Sequence, residues 1–291
     1  MKCKIVVTGA NGQLGNAIQE LANNYPNFEF IYTDVQDLDI TNKEATVQFI
    51  STVNPQAIIN CAAYTAVDKA EENQSVAEKI NVVGIENLAI AAKNINAYLL
   101  HVSTDFVFDG KSSIPYIETD LPDPKSVYGT TKWKGEQALI NSQTRYAIVR
   151  TSWLYSAGNA NFLNTMMKLG AEKSHLNVVF DQVGTPTAAP DLANAILTMT
   201  YMTLADKKEI TGTYHFSNEG VCSWYDFAVR IMKIAKLPAI VNPIHATEYP
   251  LPAQRPNFSV LDKTKIKAKL GIKIPHWEDS LEQVIKHKLA N

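Results

Sequence analysis

A chain of 291 residues, 46% hydrophobic and 19% charged, is long enough to bury a substantial core as one large domain or two moderate ones. Its formal charge of −2, without any Lys/Arg-rich run, gives it no general attraction to nucleic acid or to an anionic membrane. No stretch approaches the roughly 18 apolar residues that span a bilayer. The chain opens on the strand-like MKCKIVVTG instead of the apolar segment of a signal peptide, so a cytoplasmic location is expected. Cys3, Cys61 and Cys222 lie far apart and make no CxxC or Cys/His ligand spacing. The apolar runs around Cys3 and Cys61 predict buried free thiols.

The first half alternates strand-like and helix-like segments. Lys4–Val7, Phe28–Thr33, Ala57–Ala62, Tyr98–Ser103 and Tyr146–Arg150 are short runs of buried-strand character. Helical patterns fall between them near Gln13–Asn23, Lys43–Val53, Ser75–Asn94 and Tyr128–Asn141. This succession predicts a parallel sheet covered by helices on both faces. After Arg150 the regularity breaks into helices at Phe162–Glu172, Ala189–Leu204, Trp224–Lys236 and Trp277–Leu289, isolated strands and Pro-rich connections. One connection, YPLPAQRPN at Tyr249–Asn257, is barred from a regular helix by its prolines. No internal repeat or low-complexity tract interrupts the chain.

The first strand runs into Thr8-Gly9-Ala10-Asn11-Gly12-Gln13-Leu14-Gly15 and then a helical pattern. Glycines at a strand-to-helix turn let backbone approach a pyrophosphate, whose charge the helix N-terminus favours. The position at the start of a βαβ unit is the context that gives this pattern meaning. The second strand ends at Asp34, 19 residues beyond Gly15, where a carboxylate accepts hydrogen bonds from an adenosine ribose and repels a 2′-phosphate. No Arg or Lys follows closely, so NADH is favoured over NADPH as the cofactor. Asp39-Ile40, Cys61-Ala62-Ala63-Tyr64-Thr65 and Ser103-Thr104-Asp105 end strands on the same sheet edge. Ala62 and Ala63 leave room for a flat ring, although for Ala62 alone ordinary tight packing is the better explanation.

Tyr128 and Lys132 are four residues apart in SVYGTTKWKGEQAL, which stacks both side chains on one helical face. A phenol loses its proton only near pH 10. A neighbouring ammonium favours the phenolate, so the pair reads as a proton-transfer device. Chance alone produces such a spacing in a chain of this composition. Thr104, at the end of LLHVST, adds a hydroxyl able to hydrogen-bond a substrate oxygen.

With this Thr/Tyr/Lys set on a dinucleotide-binding sheet, the chain resembles the extended short-chain dehydrogenase/reductase superfamily, and within it most closely the dTDP-4-dehydrorhamnose reductases. The matching segments are TGANGQLG at 8–15, NCAAYTAVDKAE at 60–71, NVVGIENLA at 81–89, HVSTDFVFDG at 101–110 and Tyr116–Asp120. They continue through VYGTTKWKGE at 127–136, RTSWLY at 150–155, FDQVGTPT at 180–187, SWYD at 223–226 and PAQRPNFSVL at 252–261. The resemblance implies an α/β fold: a Rossmann-type doubly wound parallel sheet with a smaller mixed α/β substrate-binding lobe. Residues 1–150 plus about 188–205 would form the dinucleotide-binding domain, and 151–187 with 206–291 the lobe. It implies that Tyr128 donates a proton to the C4 carbonyl oxygen of a nucleotide-linked keto sugar as NAD(P)H delivers hydride. Lys132 would bind the nicotinamide ribose and lower the tyrosine pKa, while Thr104 would hydrogen-bond the reacting oxygen. Gly9, Gly12, Gln13, Leu14, Gly15, Asp34, Asp39, Ile40, Ala62, Ala63, Tyr64, Thr65 and Val102 would line the cofactor, together with Tyr128 and Lys132. Asp105 and Trp153 match substrate contacts, the indole offering an apolar face to a 6-methyl sugar.

Some residues admit a plainer role. Trp153 reads also as core, Asp68, Lys69 and Glu71 as a charged helix start, and His101 as a satisfied buried imidazole. Arg255 reads either as a fork for the substrate diphosphate or as half of an ion pair. Some members of the family bind Mg²⁺ at a dimer interface through glutamates. Ala17 and Pro190 stand here in the corresponding regions and offer no carboxylate, so no metal is expected and a monomer or weak homodimer is. Two rival functions remain: a related nucleotide-sugar epimerase, and a non-catalytic regulatory subunit like that of methionine adenosyltransferase. Sugar dehydratases typically follow the threonine with Asp-Glu, and Asp105-Phe106 lacks that pair.

Overall fold

The computed structural model describes residues 2–208 and 210–290. In chain order, β1 (Cys3–Thr8), α1 (Gln13–Leu21), β2 (Phe28–Thr33), α2 (Lys43–Val53) and β3 (Ala57–Asn60) are followed by α3 (Val67–Glu72) and α4 (Gln74–Glu78). Then come α5 (Gly84–Asn94), β4 (Tyr98–Thr104), α6 (Val127–Asn141), β5 (Arg145–Thr151), β6 (Leu154–Tyr155) and α7 (Phe162–Glu172). The chain continues with β7 (His175–Val179), β8 (Val183–Gly184), β9 (Thr187–Ala188), α8 (Ala189–Leu204), β10 (Gly212–His215) and β11 (Cys222–Ser223). It ends with α9 (Trp224–Ala235), β12 (Ile240–Ile244), α10 (Thr264–Leu270) and α11 (Trp277–Ala290).

The central sheet has six parallel strands in the order β10-β5-β4-β3-β1-β2. Side chains along a strand alternate between faces, and the core divides accordingly. Ile5, Val7, Ile59, Leu100 and Val149 pack beneath α1, α8 and α10, while Val6, Ile58, Leu99 and Ile148 pack beneath α2, α5 and α6. Strands buried on both faces explain why the sequence shows continuous apolar runs instead of alternation. Strand order reverses between β1 and β3, which opens a crevice at their C-terminal ends.

The smaller lobe has its own core, in which Leu163, Leu176, Phe227, Ile231, Trp277 and Leu281 meet. Its strands are paired in twos: β6 with β9 and β7 with β12 in parallel, β8 with β11 antiparallel. The chain division differs from the sequence expectation in one respect. Residues 212–215, expected in the lobe, pair with β5 and complete the main sheet, and Ile266 and Leu270 of α10 cover that sheet. Four residues are too few for their periodicity to reveal the sheet they join.

Two further differences are local. The segment expected as one helix over Ser75–Asn94 carries a π-turn at Lys79–Val83 between α4 and α5. Its Asn81 accepts from the Tyr64 backbone N–H at 2.8 Å and donates to the Tyr64 carbonyl at 3.2 Å, so the register shift fixes the loop after β3. All three thiols are free; Cys222 is a buried residue, while Cys3 and Cys61, each at a strand end, are partly exposed as whole residues although the Cys61 thiol itself is buried.

Candidate active site

A cleft of about 1040 Å³ lies over the strand-order reversal, bounded by the glycine loop, the ends of β3 and β4, α6 and the start of the smaller lobe. The glycines shape its floor. Gly9 has φ +64°, and a Cβ there would lie 2.7 Å from the Cα and N of Ala62. A side chain at Gly15 would meet the Ala10 carbonyl. Gly12 is the N-cap of α1. The loop is therefore backbone-lined beside a helix N-terminus, which fits a dinucleotide diphosphate. Asp34 accepts from the Asn11 and Val35 backbone N–H groups at 3.0 and 2.8 Å at the end of β2, where a ribose would be met.

Nearly all the residues expected at a cofactor line this cleft: Gly9, Gly12, Gln13, Leu14, Gly15, Asp34, Asp39, Ile40, Ala62, Ala63, Thr65, Val102, Tyr128 and Lys132. Tyr64 does not. Asn81 engages both its backbone N–H and its carbonyl, and the Tyr64 ring packs with Ala70, Ala77 and Tyr128. Gln13 has other partners too: its Oε1 accepts from Ser156 Oγ at 3.0 Å and Asn161 Nδ2 at 2.8 Å, which ties the smaller lobe to the glycine loop.

The catalytic set expected from sequence comes together at the first turn of α6. Ser126 Oγ accepts from the Gly129 N–H at 3.1 Å, and Glu71 Oε1 accepts from the Val127 N–H at 2.9 Å. Two orphan donors are thereby satisfied, and Tyr128 is presented beneath the Phe106 ring, edge-on at 5.5 Å. Burial pushes the Tyr128 phenol up to about 12, against a pull from the Thr104 hydroxyl and with a push from Asp105. The expected depression by Lys132 is not seen. The ammonium end turns away from the phenol toward β4, where Nζ donates to the Val102 carbonyl at 2.7 Å and lies 3.2 Å from His101 Nε2. Burial lowers Lys132 itself to about 8, while Glu136 and Cys61 oppose that shift.

Thr104 closes the set. Its Oγ accepts from the Phe106 N–H at 3.2 Å and donates to Asp105 Oδ1 at 3.0 Å. Asp105 is almost wholly buried, which raises it to about 6 despite the hydroxyls of Ser259 and Thr104.

The expected substrate contacts Thr104, Asp105, Trp153 and Arg255 also line the cleft. Trp153 has φ +47°, a conformation rare for an aromatic residue, and stacks on Trp224 with centroids 3.6 Å apart. Arg255 is in a bidentate pair with Asp68, at 2.9 and 2.7 Å, and its guanidinium holds Asp68 below the usual carboxylate range. The ion pair and the position on the cleft are thus both real.

Sequence reasoning missed three residues. Trp224 lies in the quoted SWYD but carried no role. Glu136 is one turn beyond Lys132 and pairs with Arg150 of β5 at 2.6 Å, both side chains buried. The KWKGE spacing held that signal. Asn60 ends β3, where a buried polar residue in AIIN was the only clue. Among the described residues no group of three or more His, Cys, Asp or Glu side chains is placed to hold a metal ion.

A parallel sheet with a glycine loop at its switch point and a Tyr/Lys helix across the cleft defines a short-chain dehydrogenase/reductase. The sequence profile described as "RmlD substrate binding domain" matches residues 3–290. The chain belongs to the dTDP-4-dehydrorhamnose reductase family. It is 39% identical over 287 residues to the dTDP-4-dehydrorhamnose reductase of Aggregatibacter actinomycetemcomitans, covering 97% of this chain and 98% of the relative. A dTDP-4-dehydrorhamnose reductase structure from Clostridium acetobutylicum superposes with a TM-score of 0.92 at 45% identity, covering 98% of this chain and 99% of the other. The Bacillus anthracis enzyme, solved in complex with NADP, gives 0.94 at 38% identity, covering 99% and 100%. UDP-glucose 4-epimerase of Thermus thermophilus shares the fold at 18% identity, with a TM-score of 0.83 and coverage of 98% and 99%.

Proposed function

We propose that this chain reduces the C4 keto group of dTDP-4-dehydro-β-L-rhamnose to dTDP-β-L-rhamnose with NAD(P)H, a step in supplying rhamnose for cell-surface polysaccharide. The observation that carries this reading is the buried Tyr128 phenol beside Thr104 at the switch-point cleft, in a chain matching named reductases over nearly its whole length. The glycine loop and Asp34 would hold the cofactor, which supplies a hydride. Tyr128, protonated throughout the neutral range, gives its Oη proton to the carbonyl oxygen as the alcohol forms, and the phenolate is left to recover a proton from water. Lys132 would bind the ribose and, in its protonated form with the cofactor in place, favour that phenolate. Thr104 orients the reacting oxygen, and Trp153 with Trp224 offers an apolar wall to the sugar methyl.

The sheet-bearing residues, with β10 and α10 added to the expected division, form the cofactor domain in this reading, and the remainder closes over the sugar. NADH is favoured by Asp34, although a relative holds NADP. The same reading includes a cytoplasmic location, no metal requirement, and a monomer or weak homodimer, since Ala17 is buried and Pro190 opens α8. Epimerases are related at a level that supports the fold alone. The test supplies purified protein with NADH or NADPH and the keto sugar nucleotide while nicotinamide absorbance is followed. Oxidation that survives a chelator is expected; none with either cofactor sinks the proposal.

A further inference from the structure

His101 occupies the middle of β4 with no solvent exposure, and both its ring nitrogens have partners. Nδ1 lies 2.9 Å from Asn60 Nδ2, and Nε2 lies 3.2 Å from Lys132 Nζ. A neutral imidazole donates from one nitrogen and accepts at the other, so the two contacts are coupled.

The orientation of Asn60 decides between the two tautomers. Its Oδ1 accepts from the Ala62 N–H at 3.2 Å and from Thr8 Oγ1 at 2.5 Å, and its Nδ2 donates to the Ala62 carbonyl at 3.4 Å. A flipped amide would set its NH₂ against the Ala62 N–H and its oxygen against the Ala62 carbonyl. Backbone thus pins the amide with its NH₂ toward His101. Nδ1 must then accept, and the ring proton must sit on Nε2, aimed at Lys132. A lysine ammonium also presents only protons, so that contact is a hydrogen bond when Nζ is the neutral amine and a clash of donors when it is charged.

We infer that His101, set by Asn60, is a positioning residue that turns a donor toward Lys132 and so favours its neutral amine over its ammonium in the cofactor-free protein. Burial lowers Lys132 as well, but no other side chain facing it adds to that effect. Glu136 on the next turn of α6 favours the ammonium but is itself engaged by Arg150 of β5, and Cys61 after β3 is a thiol that burial pushes up to about 12. Tyr128, one turn earlier on α6, is neutral. Burial, and the positive charge of Lys132 whenever it is protonated, also drive His101 well below its ordinary value, so it does not compete for charge. The significance for catalysis rests on the reductase reading; the placement of the protons does not.

Two measurements on the cofactor-free protein test this. In a long-range proton–nitrogen correlation spectrum, the His101 resonances, assigned by their loss in His101→Gln, should show a bare Nδ1 and a protonated Nε2 from about pH 6 to about pH 9. A protonated Nδ1, or an imidazolium pattern, overturns the inference. In ¹³C-lysine-labelled protein the Lys132 Cε titration midpoint should rise by about one pH unit in His101→Gln, whose carboxamide oxygen accepts from the ammonium. A folded variant with an unmoved midpoint overturns it as well. If that variant does not fold, the native tautomer, assigned then by elimination among the other histidines, still decides. Loss of the reductase reading would appear as absent NADH and NADPH oxidation with both NMR results unchanged.

Discussion

Tyr128 combines two properties that free tyrosine cannot: it is buried, and it faces a cleft large enough for a cofactor and a substrate. Under the proposed chemistry Tyr128→Phe should lower turnover by about 10²–10⁴-fold and leave NADH affinity within about threefold, checked by steady-state rates and fluorescence titration. Asp105 makes a separate prediction. Its carboxyl is raised to about 6, above its unfolded value, so the folded state takes up a proton that the unfolded chain does not as pH falls from about 6 toward 4. The buried charge is therefore destabilising above that window and relieved within it. Asp105→Asn should be more stable than the native protein by about 2–3 kcal/mol at pH 8, with the advantage vanishing near pH 4, as read from denaturant midpoints. Asp34→Ala should move selectivity toward NADPH; an unchanged ratio of kcat/KM values removes the residue from the ribose contact.

Helix α6 carries the machinery as a ladder of Tyr128, Lys132 and Glu136, each one turn from the next. Its top is fixed by Ser126 and Glu71 and its middle by the Glu136–Arg150 pair, whose guanidinium also lies 5.2 Å from the Phe108 ring centroid. Removing one partner strands the other charge in the core. Glu136→Gln should cost about 3–5 kcal/mol in urea unfolding, far more than a surface ion pair such as Lys134–Glu78 returns. The ladder also shows what sequence could and could not disclose. The Tyr128–Lys132 spacing, the glycine loop and Asp34 were legible because each follows from local periodicity or a turn. The direction of the Lys132 side chain was not, because it is set by His101 and Val102 on a strand about thirty residues away. The partner of Tyr64 was hidden for a similar reason: Asn81 reaches it only through a π-turn that helical periodicity conceals.

At the scale of the molecule, the cleft lies where the two lobes meet, and the loop at 156–161 is bonded across it to Gln13. A ligand seated there couples the stability of both lobes. Saturation with NADH at about 100 times its dissociation constant should stabilise the protein by about 2.7 kcal/mol and raise one common unfolding transition, seen by calorimetry. The strand order also bears on how the chain is made. β10 closes the sheet beside β5 although some sixty residues, part of the smaller lobe together with α8, intervene, and one sheet face waits for α8 and α10. On the ribosome, then, the open edge of β5 and an uncovered apolar face must persist while the second lobe is still being translated. At about 5–20 residues per second this exposure lasts for seconds, the interval in which a nascent chain most needs a chaperone.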